Sequence, residues 1–257
     1  MHDGKALQSA TSHYFGDGFA RAFDIQYLDR QNQLQYVHQT SWGLSTRSIG
    51  AIIMVHGDDN GLVLPPRIAP TQVMVIPVAQ HKEGVLETAA AVKNRLSQTL
   101  RVKMDDSDKM PGWKFSEYEM KGVPLRLEIG PRDIQKNQCI AVRRDTGEKV
   151  VLSMDTLEET VPGLLDEIHE QLYQSAEQSL FSRIRTAVSQ QELKDLMARE
   201  PGFVKAMWCG RAACEDQIRE ETGATARCIP FGDEALSDVC VWCQQPAEKL
   251  VVWGKAY

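Results

Sequence analysis

The sequence predicts an α/β fold in three parts, and three observations carry that prediction. Short apolar runs of strand type alternate with helical apolar stripes from Val73 to Leu152. A proline cluster, Pro65, Pro66 and Pro70, closes off what precedes them. Near the end stand two thiol pairs, Cys209-x4-Cys214 and Cys240-x2-Cys243. The parts are residues 1–70, a small α+β stretch; 71–180, a compact α/β domain with a mixed sheet; and 181–257, a small α/β module holding the cysteine pairs.

In the first part, Gln33 to Trp42 alternates well enough to be one strand. Gln8, Thr11, Ser12 and His13 precede it, and polar residues grouped beside Gly more often make turns and caps than sites. Beyond the strand, Ser45, Thr46 and Arg47 stand just before Ile49, Ile52, Ile53 and His56, spaced as one face of a helix. With Ser45 or Thr46 as N-cap, the first free backbone N–H groups lie beside the Arg47 guanidinium. A helix N-terminus next to such a cation suits a phosphate. An ordinary helix start with a solvated arginine fits the same residues, and spacing alone does not choose between them.

In the second part, Val73 to Val78 reads as a buried strand. Val85, Ala89, Val92, Leu96 and Leu100 predict an amphipathic helix, and Arg101 to Met104 another strand. Pro111–Gly112 opens a short helix and Leu125 to Ile129 forms a strand. Cys139–Arg143 and Lys149–Leu152 flank Asp145–Thr146–Gly147 as a hairpin. Alternation of this kind gives a layered α/β domain. The charged groups of EIGPRD (128–133) and the pair Arg143–Arg144 fall at strand ends, where open α/β sheets bind ligands; a solvated rim is the other reading.

From Asp155 the chain turns helical, with Leu165, Ile168, Leu172 and Ala176 as its stripe. A further helix covers Glu192 to Arg199 and is stopped by Pro201–Gly202. In the last part, paired thiols on tight loops are what a tetrahedral structural zinc site needs. A redox Cys-x-x-Cys and unrelated buried cysteines are the alternatives. Cys139 and Cys228 read as ordinary buried residues.

Composition bounds the function. With 257 residues, 42% hydrophobic and 25% charged, the chain has the make-up of a soluble globular protein. A net charge of −6 argues against coating nucleic acid through bulk charge, yet leaves room for a local patch that reads one RNA. There is no apolar run long enough to span a membrane. The opening MHDGKALQ lacks the apolar stretch of a secretion signal. Six cysteines without such a signal indicate a reducing compartment, so a cytoplasmic protein is expected.

WGLSTRSIGAIIMVHGDDNGLVLPPRIAP (42–70) closely resembles the third signature motif of class II proline–tRNA ligases. LQSATSH (7–13) is similar to the LQ-x-GTSH these ligases carry upstream, with Ala10 in place of the family's Gly. The resemblance implies that Arg47 clamps the terminal phosphates of ATP, with Mg²⁺ sharing the charge. It places Gln8, Thr11 and Ser45 on ATP and His13 around proline. EIGPRD resembles the family's anticodon-binding domain. That likeness implies that Glu128 and Arg132 contact unstacked anticodon bases, while Arg143, Arg144 and Lys136 touch phosphates. WCGRAACED and EETGATARCIPF resemble the zinc module of the archaeal and eukaryotic branch, which implies zinc on Cys209, Cys214, Cys240 and Cys243. That branch also ends like WGKAY, its last residue folding toward the catalytic site, which implies the same of Tyr257.

By this resemblance, residues 1–70 are the end of a class II catalytic domain, 71–180 an anticodon-binding domain and 181–257 a zinc-binding module. The family joins proline to AMP from ATP and transfers it to tRNA(Pro). The first two signature motifs of the family lie ahead of everything in this sequence. Expected partners are therefore tRNA(Pro), ATP, proline, and a homodimer mate or a complementing N-terminal chain; a membrane is not among them. A non-catalytic tRNA-binding or regulatory protein, or a truncated gene product, made of the last two modules is the competing expectation.

Overall fold

The computed structural model describes residues 1, 3–199, 202–232 and 234–257; Pro201, expected to stop a helix, lies outside them. The chain forms two compact units, one of residues 1–51 with 185–257 and the other of residues 52–184.

The first unit begins with β1 (Ala10–Gly16), α1 (Gly18–Ala22), β2 (Gln26–Leu28), β3 (Leu34–Tyr36), β4 (Gln39–Leu44) and the start of α2 (Arg47–His56). The strand expected over 33–42 is two strands with different partners: β3 pairs with β2, β4 with β1. A turn held by the Asp29 carboxylate, which accepts the N–H groups of Gln31 and Gln33, sets the first pairing. The alternation of side chains continues through the break, so the sequence pattern does not reveal it. In the β1–β4 pair, Ala10 faces Leu44, Ser12 faces Trp42 and Tyr14 faces Thr40. Tyr14, Trp42 and Leu44 therefore share one face, and all three are exposed, Trp42 to 81%. On α2 the predicted apolar stripe exists but buries nothing; Ile49 is 61% exposed.

The second unit is built on a five-stranded mixed sheet. Its elements are β5 (Val73–Pro77), α3 (Val85–Leu96), β6 (Val102–Met104), α4 (Pro111–Met120), β7 (Leu125–Ile129), α5 (Pro131–Gln135), β8 (Gln138–Arg143), β9 (Lys149–Ser153) and α6 (Leu157–Phe181). Strand order is β6-β5-β7-β8-β9, parallel for the first three and antiparallel thereafter. Pleating sends alternate residues to opposite faces. Val73, Val75, Leu125, Leu127 and Ile129 face one way and form a core with Ala89, Val92 and Leu96 of α3 and Leu165 and Ile168 of α6. Met74 and Ile76 face the other way, against Phe115 and Tyr118 of α4.

Residues 52–70, expected with the catalytic stretch, are stitched to this second unit. The Arg101 side chain donates to the carbonyls of Pro66, Arg67 and Ala69. Leu62 N–H bonds the Met120 carbonyl, and Gly61, at φ +128, passes so close that a Cβ would lie 2.5 Å from that same oxygen. Only glycine tolerates both the angle and the approach.

The chain then returns to the first unit through β10 (Ile184–Thr186), α7 (Gln190–Arg199), β11 (Phe203–Trp208), α8 (Ala212–Thr222), β12 (Ala224–Cys228) and β13 (Lys249–Lys255). These strands form a second sheet in the order β10-β11-β13-β12. Its core gathers Leu193 of α7, Ile218 of α8, Ala206 of β11, Val251 and Trp253 of β13, and three of the cysteines. No described helix is long and apolar enough to cross a membrane.

Candidate functional site

Three places carry the residues singled out from the sequence. The first lies at the meeting of β1, β4 and α2. Ser45 Oγ accepts the Arg47 N–H at 3.3 Å, so Ser45 caps the helix as expected. Arg47 Nη1 donates to the Gln8 carbonyl at 3.3 Å, which leaves most of its guanidinium donors facing outward. Gln8, Thr11, Ser45 and Arg47 line one open cleft of about 310 Å³. Thr11 stands opposite Gly43 across the β1–β4 pair, and the missing side chain keeps the space above the threonine free. His13 follows two residues along β1 on the same face as Thr11, its ring stacked on Phe15. The N–H groups expected to be free are taken, since Ser48 and Ile49 donate to the Ser45 and Thr46 carbonyls at 3.1 and 3.0 Å. An exposed guanidinium and a hydroxyl beside the positive end of a helix remain, and these can hold a polyphosphate.

Tyr257 belongs to the same neighbourhood through the backbone. Ala6 N–H donates to the Lys255 carbonyl at 2.9 Å, and Tyr257 N–H to the Ala6 carbonyl at 3.0 Å. The chain's last residue is thereby fixed two positions from Gln8, with its ring largely exposed.

The second place is the carboxyl end of the parallel strands. Gly130-Pro131-Arg132-Asp133 starts α5: Pro131 takes the first helical position, and the Asp133 carboxylate accepts the Gly130 N–H at 3.0 Å. Arg132 is exposed on the outer side of this turn, as is Lys136 at its end. Glu128 is half-buried and paired with Arg126 at 2.9 Å, and the Arg126 guanidinium lies 4.3 Å over the Phe115 ring. Arg126 and Phe115 escaped the sequence reading, although the Arg–x–Glu alternation of β7 puts both charges on one face.

Arg143 and Arg144 are a correction. Both are buried, at 3% and 8% exposure. Arg143 donates to Asp145, Glu167 and Gln171. Arg144 forks onto Asp58 at 2.6 and 2.8 Å and reaches the Glu119 carbonyl. Their donors are spent inside the domain, so neither side chain faces a phosphate. Arg144 in turn holds the Asp58 carboxyl below the usual carboxylate range by donating to it.

The third place is the cysteine cluster. Cys209 follows β11, Cys214 sits in the first turn of α8, and Cys240 and Cys243 flank a tight turn closed by Cys240 N–H on the Gln245 carbonyl. The four sulfurs lie within 4.8 Å of one another, with Cys209 at 3.6 Å from Cys214 and 3.7 Å from Cys243. Tetrahedral zinc–sulfur bonds of about 2.3 Å separate the ligands by about 3.8 Å, so the cluster fits such an ion. Gly210, at φ +76, leaves room for the Glu248 carboxylate, which a Cβ would meet at 2.8 Å. Burial pushes the Cys209 thiol up, but donation from Arg211 outweighs it and leaves it lowered to about 6. Burial raises Cys214 and Cys240. All six cysteines are free; Cys139 is buried as expected, whereas Cys228 is exposed.

Comparison with known proteins gives these places a context. Residues 72–164 match the family described as anticodon binding domain, and residues 190–257 the family described as prolyl-tRNA synthetase, C-terminal. Over all 257 residues the chain is 64% identical to a proline–tRNA ligase of Ruminiclostridium cellulolyticum. It is 60% identical to one of Clostridium botulinum and 59% to one of Lachnoclostridium phytofermentans. All of this chain and 54% of each relative are covered, so the chain spans about half the length of the curated relatives it matches.

Proposed function

From a likeness to proline–tRNA ligases that runs through every residue of the chain, we propose that it is the ATP-clamping, anticodon-reading and zinc-binding part of such a ligase. The observation that carries the reading is the convergence of Gln8, Thr11, Ser45 and Arg47 on one cleft. In the reaction, a proline carboxylate oxygen attacks the α-phosphorus of ATP, and the bond to the β-phosphate oxygen breaks to release pyrophosphate. Charge grows on that leaving group as the bond lengthens, and Arg47 stabilises it there; Mg²⁺ bound to the phosphates would share that charge. Gln8 and Thr11 orient the nucleotide, and His13 closes around proline. The 3′ end of tRNA(Pro) then takes the prolyl group.

On this reading Arg132 and Glu128 contact anticodon bases, Arg126 stacked on Phe115 sets the direction of Glu128, and Lys136 meets phosphate. Arg143 and Arg144 drop out of the RNA surface. Zinc is held by Cys209, Cys214, Cys240 and Cys243 and keeps the C-terminal module folded. The cysteine spacing supports the archaeal and eukaryotic branch, although the relatives named above are bacterial. A cytoplasmic location goes with six free thiols.

Proline-dependent exchange of pyrophosphate into ATP, measured on the full-length protein, tests the activity. Arg47→Ala should cut that exchange by about 10²- to 10³-fold, the usual loss for one preorganised donor. Exchange untouched by Arg47→Ala would remove the clamp, and exchange driven equally by other amino acids would remove proline.

A further inference from the structure

One cation at the cysteine cluster is left unexplained by the four ligands. Arg211 lies between the two members of the first thiol pair, and its guanidinium reaches across to the second. Nε stands 3.4 Å from Cys209 Sγ and Nη2 3.0 Å from Cys243 Sγ, so one planar group bridges the two halves of the motif. Its backbone is pinned from both sides: the Arg211 carbonyl accepts Trp208 Nε1 at 3.2 Å and the Cys214 N–H at 3.1 Å.

Local preference does not account for this residue. Arg211 is the N-cap of α8, a position that favours Ser, Thr, Asp or Asn, whose oxygens accept the first helical N–H groups. Arginine has no acceptor to offer and adds positive charge at the positive end of the helix dipole. The sulfurs do account for it. Four thiolates around a divalent ion carry two surplus negative charges, and the Glu248 carboxylate beside Gly210 adds to the field.

We propose that Arg211 is a positioning residue of the metal centre, holding the Cys209 and Cys243 thiolates in ligand geometry and offsetting their charge. This rests on the metal reading given above. Groups that orient metal ligands in this way change affinity by about 10- to 100-fold when removed, and the largely exposed side chain of Arg211 points to the lower end. Lysine keeps the charge but not the planar fork, so it cannot bridge two sulfurs at once.

The test compares the full-length wild-type protein with Arg211→Leu, Arg211→Lys and a control, Arg219→Leu, which alters a pair with Asp216 farther along α8. Zinc affinity is read by competition with a chromogenic chelator, and each protein is also loaded with Co(II) for its sulfur-to-cobalt charge-transfer band. Arg211→Leu should weaken zinc by about tenfold and move the band to lower energy, because thiolates stripped of N–H donors give up electrons more readily. Arg211→Lys should fall in between on both readouts, and Arg219→Leu should match wild type. A general loss of packing would not shift the band. If Arg211→Leu does not fold, Arg211→Lys decides: wild-type affinity with an unmoved band overturns the proposal. A wild-type protein that binds neither ion overturns the metal reading and this inference together; a wild type that binds both, beside an unchanged Arg211→Leu, overturns this inference alone.

Discussion

Arg132 and Arg143 stand 11 positions apart, one exposed and the other buried, and on the proposed reading that difference gives them opposite work. Arg132 faces out from the first turn of α5, so Arg132→Ala should weaken tRNA(Pro) by about 1–3 kcal/mol and relax discrimination among anticodons. Lys136→Ala should weaken all tRNAs alike and reduce the salt slope by about 1. Filter-binding series at several salt concentrations separate the two, and equal binding of proline and other tRNAs before and after Arg132→Ala would defeat the assignment. Arg143→Ala should leave RNA discrimination alone and instead destabilise the domain by about 3–5 kcal/mol, because Asp145 is left buried without its partner. Urea unfolding midpoints measure that loss. The sequence could not make this distinction: Arg143 and Arg144 follow an apolar strand just as a basic rim would. Asp145 is only two residues from Arg143, but their other side-chain partners sit at Glu167, Gln171 and Asp58, up to 86 residues away, where no local pattern points. The Ser45 cap is legible because it acts locally, on the Arg47 N–H two positions on.

Helices and buried strands were the readable elements, for the same reason. The stripe of α3 repeats at helical spacing and is buried at Val85, Ala89, Val92 and Leu96. The buried face of the α6 stripe is Leu165 and Ile168. Pairing was not readable, so β3 and β4 merged into one expected strand, and the sheet around β13 went unseen because its order is set by contacts far apart in sequence. Two predictions belong at this scale. Chelation of the metal should unfold the cysteine module while leaving the five-stranded sheet intact, since the two cores share no residues. Hydrogen exchange should then accelerate across β11, α8 and β13 and stay slow in β5 and β7; uniform acceleration, or none, would contradict a structural ion. The other concerns α4, where the buried Lys114 and Tyr118 both bind Asp105. Burial, and the ionised Asp105 that accepts its proton, push Tyr118 up to about 12 from 10.0. The folded state thus holds that proton more tightly than the unfolded chain. Its contribution is complete below pH 10 and is lost as pH rises toward 12. Thermal melts should show Tyr118→Phe losing less stability than wild type across that window, and parallel losses would remove Tyr118 as the cause.

At the scale of the whole molecule, the exposed apolar groups are not spread evenly. Tyr14, Trp42 and Leu44 on one sheet face, Phe19 and Phe23 around α1, and Ile49 and Ile53 on α2 are exposed within 40 residues of chain. A two-stranded sheet such as β1–β4 is marginal in water, and each of its strands presents an unpaired edge. The relatives are nearly twice as long as this chain, so they hold enough additional sequence to extend that sheet and cover α2. The chemistry is short in the same place. On the proposed reading Arg47 holds departing phosphates, but the resemblance assigns the groups that orient the α-phosphate and the proline carboxylate to motifs outside these 257 residues. Each such donor is worth about 10² to 10³ in rate, and several would be absent together. The 257-residue chain expressed by itself should therefore associate or aggregate, and show no proline-dependent pyrophosphate exchange. Exchange should appear when the remaining part of a relative's length is supplied in trans, with light scattering falling at the same time, and Arg47→Ala should abolish the gain. Substituting Trp42 and Ile49 by polar residues separates the two effects: it should improve the solubility of the lone chain without giving it activity, and weaken rescue by the added part. Vigorous exchange by the lone chain would mean that β1, β4 and α2 hold ATP and proline without further support.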